Sequence, residues 1–374
     1  MAYSESAGLV DLFDGTGDLE RGLIRCVGDP LERFTEDALR MLRAMRFSAQ
    51  LDFVITEDVR EAMRSLAPRI EMVSAERIRE ELTKTLVSDH PERIAILTES
   101  GLGAYVLPEF DALFDTPQRG GSHYGSVGVH TLDVVKNTPA AAHLRWTALL
   151  HDIGKPSVHV VEEQRPLLHD IDKPSGQAAE EQPQARESEE PDDLAGTPMA
   201  AAEQEIPVRD RFPHHGKAGA WLARTIMERL KFDRATMDRV EKLVAWHDYP
   251  FDMTKADVRR VMHGLGRELF PDLLAIARAD NLAKRPEVGN FLLDALDRVE
   301  ELYGEVVRDN DPIDIRDLAV GGRDLIQAGI APGQQMGHIL QQLLEEVLED
   351  PARNERETLL ARAGELAAAQ QAPG

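Results

Sequence analysis

The chain of 374 residues has one cysteine, Cys26, and only 5% of its residues are aromatic. A single cysteine cannot form an internal disulfide, and it leaves too few thiolates for a cysteine-based zinc site. No apolar run approaches the roughly 18 residues that a membrane-spanning helix requires. No basic segment followed by an apolar run marks a signal peptide at the start. We therefore predict a cytoplasmic protein without a membrane partner.

Positive charge is also scarce. The chain has 43 Lys and Arg residues against 67 Asp and Glu residues, which gives a formal net charge of −24 at pH 7. Such a charge argues against binding nucleic acid through overall attraction. The excess is uneven, because residues 162–205 alone hold 13 acidic and 3 basic residues. Residues 33–46 instead carry four arginines against two carboxylates, so a local basic face remains available there.

Hydrophobic patterning predicts a mainly α protein. Residues 1–31 alternate short strand-like and turn-like pieces. In residues 32–117, apolar residues recur at helical spacing, and Thr35 is the expected N-cap of the segment FTEDALRMLRAMRFSAQL. Residues 161–206 are rich in Pro, Glu, Gln, Ala and Ser and have little to bury, so we predict a disordered acidic insert. Helical periodicity returns at Ala218 and continues to the end.

Six polar residues interrupt or end apolar helical stretches, and this pattern is the strongest chemical signal in the sequence. Each one alone is more simply a satisfied surface or core residue. Together they indicate more, because buried imidazoles and carboxylates are costly unless they are paired or bound to a metal. Helices that converge with such residues inward can build a metal site that activates water. The six are His130, His151, Asp152, His215, His247 and Asp280.

Two positions have competitors, and one segment imitates the pattern. Asp248 competes with Asp280, and His214 is the weaker neighbour of His215. The sequence LLHDIDKPSG at 167–176 nearly repeats LLHDIGKPSV at 149–158. We interpret this repeat as non-functional, because it lies in the acidic segment, no apolar helix precedes it, and it has an aspartate where the first copy has glycine.

The motif HDIGK resembles the HD superfamily of metal-dependent phosphohydrolases, since it follows an apolar run and a histidine lies 21 residues before it. The superfamily order of His, His-Asp, further histidines and Asp maps onto the six residues above. The resemblance implies a divalent metal ion, such as Mg²⁺, Mn²⁺ or another transition metal. It also implies that His151 and Asp152 are catalytic. Phe212, His215, Gly219 and Ala220 match the spacing F-x-x-H-x-x-x-G-A of one branch.

Residues 15–47, GTGDLERGLIRCVGDPLERFTEDALRMLRAMRF, resemble the bacterial tRNA nucleotidyltransferase (CCA-adding) and poly(A) polymerase family. The family patterns G-x-x-D-L, I-R-x-V-G-D-P and R-F-x-E-D-x-L-R-M-L-R-A-x-R-F all stand intact. A tail signature at 321–354 extends the likeness to nearly the whole chain apart from the insert. The resemblance implies tRNA as a partner, and CTP and ATP as nucleotides if a catalytic head is present.

By that resemblance, Glu36, Asp37 and Arg40 bind the incoming nucleotide. A carboxylate accepts from exocyclic amino groups and a guanidinium donates to ring acceptors, so the pair can distinguish CTP and ATP from UTP and GTP. The i, i+3 spacing of Asp37 and Arg40 predicts that both lie on one helical face. Outside this context, such a pair is usually a helix-stabilising surface pair.

In the family, a catalytic head with a Gly-Ser loop and a D-x-D pair precedes the segment seen here. The start Met1-Ala2-Tyr3 looks like the end of that head, so we expect a chain that lacks it, through truncation or as a true headless paralogue. Residues 1–31 would then be edge strands open to a partner chain. Their apolar residues are expected to lack partners within the chain: Leu12, Phe13, Leu23, Ile24 and Val27.

The predicted organisation has a β remnant, a helical neck, an HD-type helical bundle and a helical tail that faces tRNA. The bounds are 1–31 for the remnant of the head, 32–117 for the neck, 118–160 with 207–286 for the HD domain, 161–206 for the insert and 287–374 for the tail. The leading hypothesis is metal-dependent phosphohydrolysis linked to tRNA processing. The alternative is a non-catalytic tRNA-binding module with a vestigial HD site. A nucleotide-sensing HD protein is a third reading, which rests on superfamily analogy alone.

Overall fold

Helices dominate the chain, which confirms the mainly α prediction. The computed structural model describes residues 2–6, 8–119, 125–163, 208–249 and 253–371. The predicted insert at 161–206 falls outside these residues apart from its first three, and the repeat at 167–176 lies wholly outside them. No helix in the described ranges is long and apolar enough to cross a membrane.

The first part of the chain contains short strands followed by the helices of the neck. The elements are β1 (Ala2–Ser4), β2 (Gly8–Val10), α1 (Gly15–Arg21), β3 (Leu23–Ile24), α2 (Pro30–Glu36), α3 (Leu39–Leu51), β4 (Val54–Ile55), α4 (Glu57–Leu66), α5 (Ala75–Leu86), α6 (Ile96–Glu99), α7 (Gly103–Val106) and α8 (Pro108–Phe114).

The second part is built from longer helices, with one hairpin between them. The elements are α9 (Val127–Asn137), α10 (Ala142–Leu150), β5 (Val160–Glu163), β6 (Val208–Arg211), α11 (His215–Arg229), α12 (Arg234–Trp246), α13 (Lys255–Leu265), α14 (Phe270–Leu282), α15 (Pro286–Arg308), α16 (Gly322–Gln327), α17 (Gln334–Glu349) and α18 (Arg356–Gln371).

The prediction for residues 1–31 is wrong in two respects. Helix α1 forms where a turn was expected, because the Asp11 carboxylate accepts from the first backbone N–H groups of this helix, at Gly15 and Thr16. Strand β3 also has a partner within the chain, since it pairs in parallel with β4. Leu23 and Ile24 are therefore partly covered. Leu12, Phe13 and Val27 are exposed as predicted, and a partner chain for them stays a prediction.

Thr35 is not an N-cap, because the helix begins earlier than its periodicity suggests. Asp29 caps α2 by accepting from Leu31 N at 2.9 Å, and Pro30 occupies the first helical position. The helix then ends at Glu36, and Asp37 is extended, with φ −150°. Asp37 and the arginine three residues later therefore do not share a helical face.

Two buried clusters form the core, and they cross the predicted domain bounds. The first joins the neck to the front of the HD domain, as at Trp146 of α10, whose indole N–H donates to Thr83 Oγ1 of α5 at 3.0 Å. The second joins α12 to α14 with the tail helices. The domains predicted from sequence therefore do not have separate cores. Their bounds as functional units stay a prediction.

Sequence reasoning missed the antiparallel hairpin of β5 and β6, which pairs Val160 with Arg211 and Glu163 with Val208. Its strands stand on either side of the acidic segment, so they are too far apart in sequence for a hairpin signal. The hairpin brings the chain back beside the HDIGK turn.

Removal of residues 1–28 should destabilise the protein, which reverses the expectation that these residues have no partner. Loss of β3 exposes Ile55 and removes the partly buried Ile24 from the core. Loss of the partial burial of one aliphatic side chain should lower the melting temperature by about 2 to 4 °C. Removal of residues 1–10 is the control, because β1 and β2 form a two-stranded sheet with each other and their large apolar side chains are exposed. The melting temperature of this variant should match that of the full chain. Equal melting temperatures for all three proteins would contradict this.

Candidate metal centre

Five helices bring all six predicted residues to one place. His130 lies in α9, and His151 and Asp152 directly follow α10. The other three residues stand at the start of α11, after the end of α12 and within α14. They are His215, His247 and Asp280.

The first group of possible metal ligands consists of His130, His151 and Asp280, whose donor atoms all lie within 4.8 Å of one another. His130 Nε2 is 2.8 Å from Asp280 Oδ1, and His151 Nε2 is 4.0 Å from the same oxygen. His151 Nε2 is buried and makes no hydrogen bond within the described ranges of the chain. A buried nitrogen without a hydrogen bond is costly by itself and well suited to bind a metal.

The second group consists of Asp152, His215 and His247. Asp152 Oδ1 is 3.4 Å from the Nε2 atom of each histidine. Its other oxygen, Oδ2, is 3.1 Å from His151 Nε2, so this carboxylate joins the two groups. The two groups together offer imidazole and carboxylate donors for one or two divalent cations.

Backbone carbonyls fix how three of these imidazoles are turned. The Nδ1 atom of His151 donates to Ala148 O at 2.7 Å, and that of His247 donates to Val244 O at 2.7 Å. His215 Nδ1 donates to the carbonyl of the residue three positions earlier in the same way, at 2.9 Å. A carbonyl oxygen can only accept, so each Nδ1 carries the proton and each Nε2 is left to bind.

The Nε2 atoms of His215 and His247 face each other at 3.1 Å. Since both Nδ1 atoms carry protons, two neutral rings would set one lone pair against another. Only a shared proton or a cation between the rings makes this arrangement favourable. The donor set and its geometry therefore fit a divalent metal ion.

A glycine allows the HDIGK turn to approach α11. A Cβ atom on Gly154 would lie 2.4 Å from His215 O and 2.5 Å from Gly219 N. Any larger residue at this position would push α11 away and separate His215 from Asp152. The close packing of this turn against α11 thus requires the glycine of the motif.

Two lysines that the sequence prediction did not assign lie against the centre. Lys155 Nζ is 2.6 Å from Asp152 Oδ2, and Lys284 Nζ is 2.6 Å from Asp280 Oδ2. Burial alone would raise the pKa of both carboxyls. His151 and Lys155 outweigh burial at Asp152, and the pKa of that carboxyl is well below its usual range. Lys284 and His130 have the same effect on the pKa of Asp280.

The competing residues take no part in either group. Asp248 lies 3.7 Å from His215 Nδ1, the ring atom that bonds the backbone, and its side chain is 73% exposed. His214 precedes α11 in the left-handed region, with φ 57°, and is exposed. Geometry therefore favours Asp280 and His215, as the sequence analysis preferred.

A second cluster, centred on Asp210, holds the hairpin and Arg119, which lies just after the neck, beside the centre. Its carboxylate accepts from the backbone N–H of Arg119, from Arg119 Nη2 at 3.1 Å and from His159 Nε2 at 2.8 Å. The His159 ring stacks on Phe212, with ring centroids 5.2 Å apart. Phe212 O is the acceptor that orients His215.

Asp37 and Arg40 line one cavity of about 430 Å³, together with Arg43, Phe34 and Phe47. The prediction that Asp37 and Arg40 lie on one helical face is wrong, although both line this cavity. Arg40 Nη1 instead contacts Glu36 Oε2 at 2.6 Å. Asp37 Oδ2 contacts Arg77 Nη2 of α5 at 3.0 Å. The reason is the break between α2 and α3, which turns Asp37 away from the arginine.

These ion pairs set the charge of the cavity wall. The bond to Arg40 lowers the pKa of Glu36 below its usual value. Burial opposes ionisation of Asp37, but Arg77 and the backbone N–H of Leu39 outweigh it, so its pKa is also lowered. Burial raises the pKa of the Cys26 thiol, which also lines the cavity. The wall thus offers the ionised carboxylate of Asp37 together with guanidinium groups.

Three protein-family models match the chain. The HD domain model matches residues 130–285, and the model described as tRNA nucleotidyltransferase domain 2 matches residues 219–363. The model described as "Probable RNA and SrmB- binding site of polymerase A" matches residues 52–114. The HD match and the two ligand groups confirm the expectation of a divalent metal ion.

Curated relatives agree with these matches. The A-adding tRNA nucleotidyltransferase of Deinococcus radiodurans is 29% identical over 92% of this chain and 71% of its own length. The CCA-adding enzyme of Limosilactobacillus fermentum is 29% identical over 98% of this chain and 69% of its own length. The Multifunctional CCA protein of Laribacter hongkongensis is 38% identical over 41% of this chain and 39% of its own length.

A solved structure shows the same fold. The Bacillus stearothermophilus CCA-adding enzyme, crystallised with CTP, matches with a TM-score of 0.60 and 18% sequence identity. The match covers 99% of this chain and 71% of that one. That residues 1–31 follow a catalytic head stays a prediction.

Replacement of Asp210 by Asn should lower the melting temperature at pH 7, since it removes the charge that holds Arg119 and His159. Burial would raise the pKa of Asp210, but the bonds from Arg119 bring it from 3.8 down to about 2. A carboxyl whose pKa is lower in the folded state than in the unfolded state stabilises the folded protein at pH values above its unfolded-state pKa. This stabilisation is lost as the pH falls through the folded-state pKa. The difference in melting temperature between wild type and variant should therefore be largest above about pH 4 and should shrink towards pH 2.

Thermal unfolding of both proteins between pH 7 and pH 2 measures this gap. Asp238→Asn is the control, because its side chain is about half exposed on α12. A gap that stays constant across the range would contradict the assignment.

Proposed function

Because this chain belongs to the CCA-adding tRNA nucleotidyltransferase family and carries an HD domain, we propose that it acts in tRNA processing by hydrolysing phosphate esters at the HD centre. The substrate class is a 2′,3′-cyclic phosphate or a nucleotide phosphoester. The proposed metal ligands are His130, His151, Asp152, His215, His247 and Asp280.

The observation that carries this proposal is the facing pair of Nε2 atoms, 3.1 Å apart, on His215 and His247. A merely structural cluster would not need two imidazoles with backbone-fixed protons to present their lone pairs to each other. Asp152 joins this pair to the other ligand group and adds negative charge. A divalent cation bound there lowers the pKa of its water and polarises a phosphate oxygen.

The chain's own residues divide the remaining work. His151 and Asp152 present donor atoms at the junction of the two groups, which is why we propose them as catalytic. The ammonium groups of Lys155 and Lys284 place positive charge beside the centre, where a phosphate would bind. The buried surroundings of His130 and His151 keep bulk water away from these groups.

The alternative is a non-catalytic RNA-binding module with a vestigial HD site. The arginines of α2 and α3 favour it, since Arg33, Arg40, Arg43 and Arg46 lie within 14 residues of one another. Such a module would bind tRNA with an affinity that falls as salt rises. It would not turn over any phosphate ester when metal is added.

Turnover of 2′,3′-cyclic AMP should require divalent metal and should fall at least about a hundredfold in His151→Ala and in Asp152→Ala. Chelation with EDTA should abolish turnover, and Mn²⁺ or Mg²⁺ should restore it. The control is His143→Ala, which removes a histidine of α10 that pairs with Asp272 and belongs to neither ligand group. Equal turnover in the His151→Ala, Asp152→Ala double variant would overturn the proposal. Salt-dependent tRNA binding without turnover would favour the alternative.

A second function is nucleotide recognition at the cavity between α2 and α3. The supporting observation is that Asp37, Arg40 and two phenylalanines share one cavity large enough for a base. Glu36 holds Arg40 through an ion pair, so it supports this wall from behind. We propose that CTP and ATP bind here. Nucleotidyl transfer by this chain is a separate proposal that requires the catalytic head.

Arg40→Ala should weaken CTP and ATP binding about tenfold, as expected for the loss of one charge-assisted hydrogen bond. It should also reduce the preference for CTP and ATP over UTP and GTP. Isothermal titration with the four nucleotides measures both effects. The control is Arg64→Ala, because Arg64 of α4 pairs with Glu57 at the surface and does not line this cavity. Unchanged affinities in Arg40→Ala would remove this cavity from consideration.

A further inference from the structure

Two buried side-chain amides near the centre each have an NH₂ group without a hydrogen-bond partner among the residues that the structure describes. They are Gln118, which is 6% exposed, and Asn281, which is 3% exposed. Buried polar groups are nearly always bonded, so two such donors in one neighbourhood require an explanation.

The orientation of both amides is fixed by a lysine. Gln118 Oε1 accepts from Lys155 Nζ at 2.9 Å, and Asn281 Oδ1 accepts from Lys284 Nζ at 3.0 Å. An ammonium group only donates, so the amide oxygen must face it. A flipped amide would set two donors against each other. The NH₂ groups are therefore correctly placed, and each one needs an acceptor from elsewhere.

Each amide is connected to one ligand group of the centre. Lys155 also contacts Asp152 of the second group, and Lys284 also contacts Asp280 of the first. The same series of contacts thus occurs twice: a side-chain amide contacts a lysine, and the lysine contacts a ligand carboxylate. Each ligand group thus has a carboxylate that contacts an ammonium group, and this ammonium group contacts an amide whose N–H donors are unused.

We propose that these two amide–lysine pairs bind the non-bridging oxygens of a phosphate at the metal centre. This inference deepens the proposed function and rests on it, because it names the phosphate as the group recognised. An apolar ligand would leave the NH₂ groups unsatisfied, and a cationic one would be repelled by the lysines. An acceptor with negative charge suits both the amide N–H and the nearby ammonium group.

The test uses full-length protein loaded with Mn²⁺ and inorganic phosphate as the probe. Bound Mn²⁺ broadens the ³¹P signal of a phosphate next to it, so the linewidth gives an affinity at the centre itself. We expect Gln118→Leu and Asn281→Leu each to raise the phosphate Kd about tenfold, as for one lost hydrogen bond. Mn²⁺ content should stay unchanged.

Two further variants keep the test independent of folding. Gln118→Glu keeps an oxygen for Lys155 but lacks the NH₂ donor, and it should weaken phosphate binding at least as much as Gln118→Leu does. Gln341→Leu on α17, far along the chain from the centre, should bind phosphate like wild type. Competition with a nucleoside 2′,3′-cyclic phosphate then tells whether a nucleotide ester or free phosphate is preferred.

The outcomes separate this inference from the proposed function. A phosphate Kd within twofold of wild type in both leucine variants, with Mn²⁺ retained, would overturn the inference and leave hydrolysis standing. Weaker phosphate binding in the variants of a protein that does not turn over esters would support the inference and overturn hydrolysis. Failure of wild type to bind Mn²⁺ would overturn both.

Discussion

The hydrogen bond from histidine Nδ1 to the carbonyl three residues earlier is the interaction on which the centre depends. It recurs at His151, His215 and His247, at the ends of three different helices. At a helix end, carbonyl oxygens of the helix or of the adjacent turn are free to accept a hydrogen bond. Each of these bonds therefore satisfies a backbone acceptor and a ring donor at once. Its consequence is that the three Nε2 atoms converge on the Asp152 carboxylate.

Such a centre is costly to bury without a cation, and the surrounding structure is arranged to hold it. Gly154 allows α11 to come within contact of the HDIGK turn, and the cluster around Asp210 ties the hairpin to Arg119, just after the neck. The neck and the front of the HD domain share one hydrophobic cluster, through contacts such as that of Trp146 with Thr83. The cavity beside α2 and α3 and the centre are thus parts of one packed body.

The proposed metal ligands were accessible to sequence reasoning because each one interrupts or ends an apolar helical pattern, which is a local signal. Lys155, Gln118 and Asn281 were not assigned, because their roles depend on contacts between residues far apart in the chain. The hairpin of β5 and β6 was missed for the same reason. Asp37 and Arg40 were placed on one helical face because Asp29 and Pro30, which start the helix early, were not recognised as its cap. The pairing of β3 with β4 connects residues about 30 positions apart and leaves no short-range pattern.

The most direct test of this account is the position of bound metal in the folded protein. Crystals soaked with Mn²⁺ and measured on either side of the manganese absorption edge would show it by anomalous scattering. The account predicts anomalous peaks within bonding distance of His151 Nε2 and of the Nε2 atoms of His215 and His247. An absence of anomalous density there, with a proton-bridged histidine pair at high resolution, would contradict it.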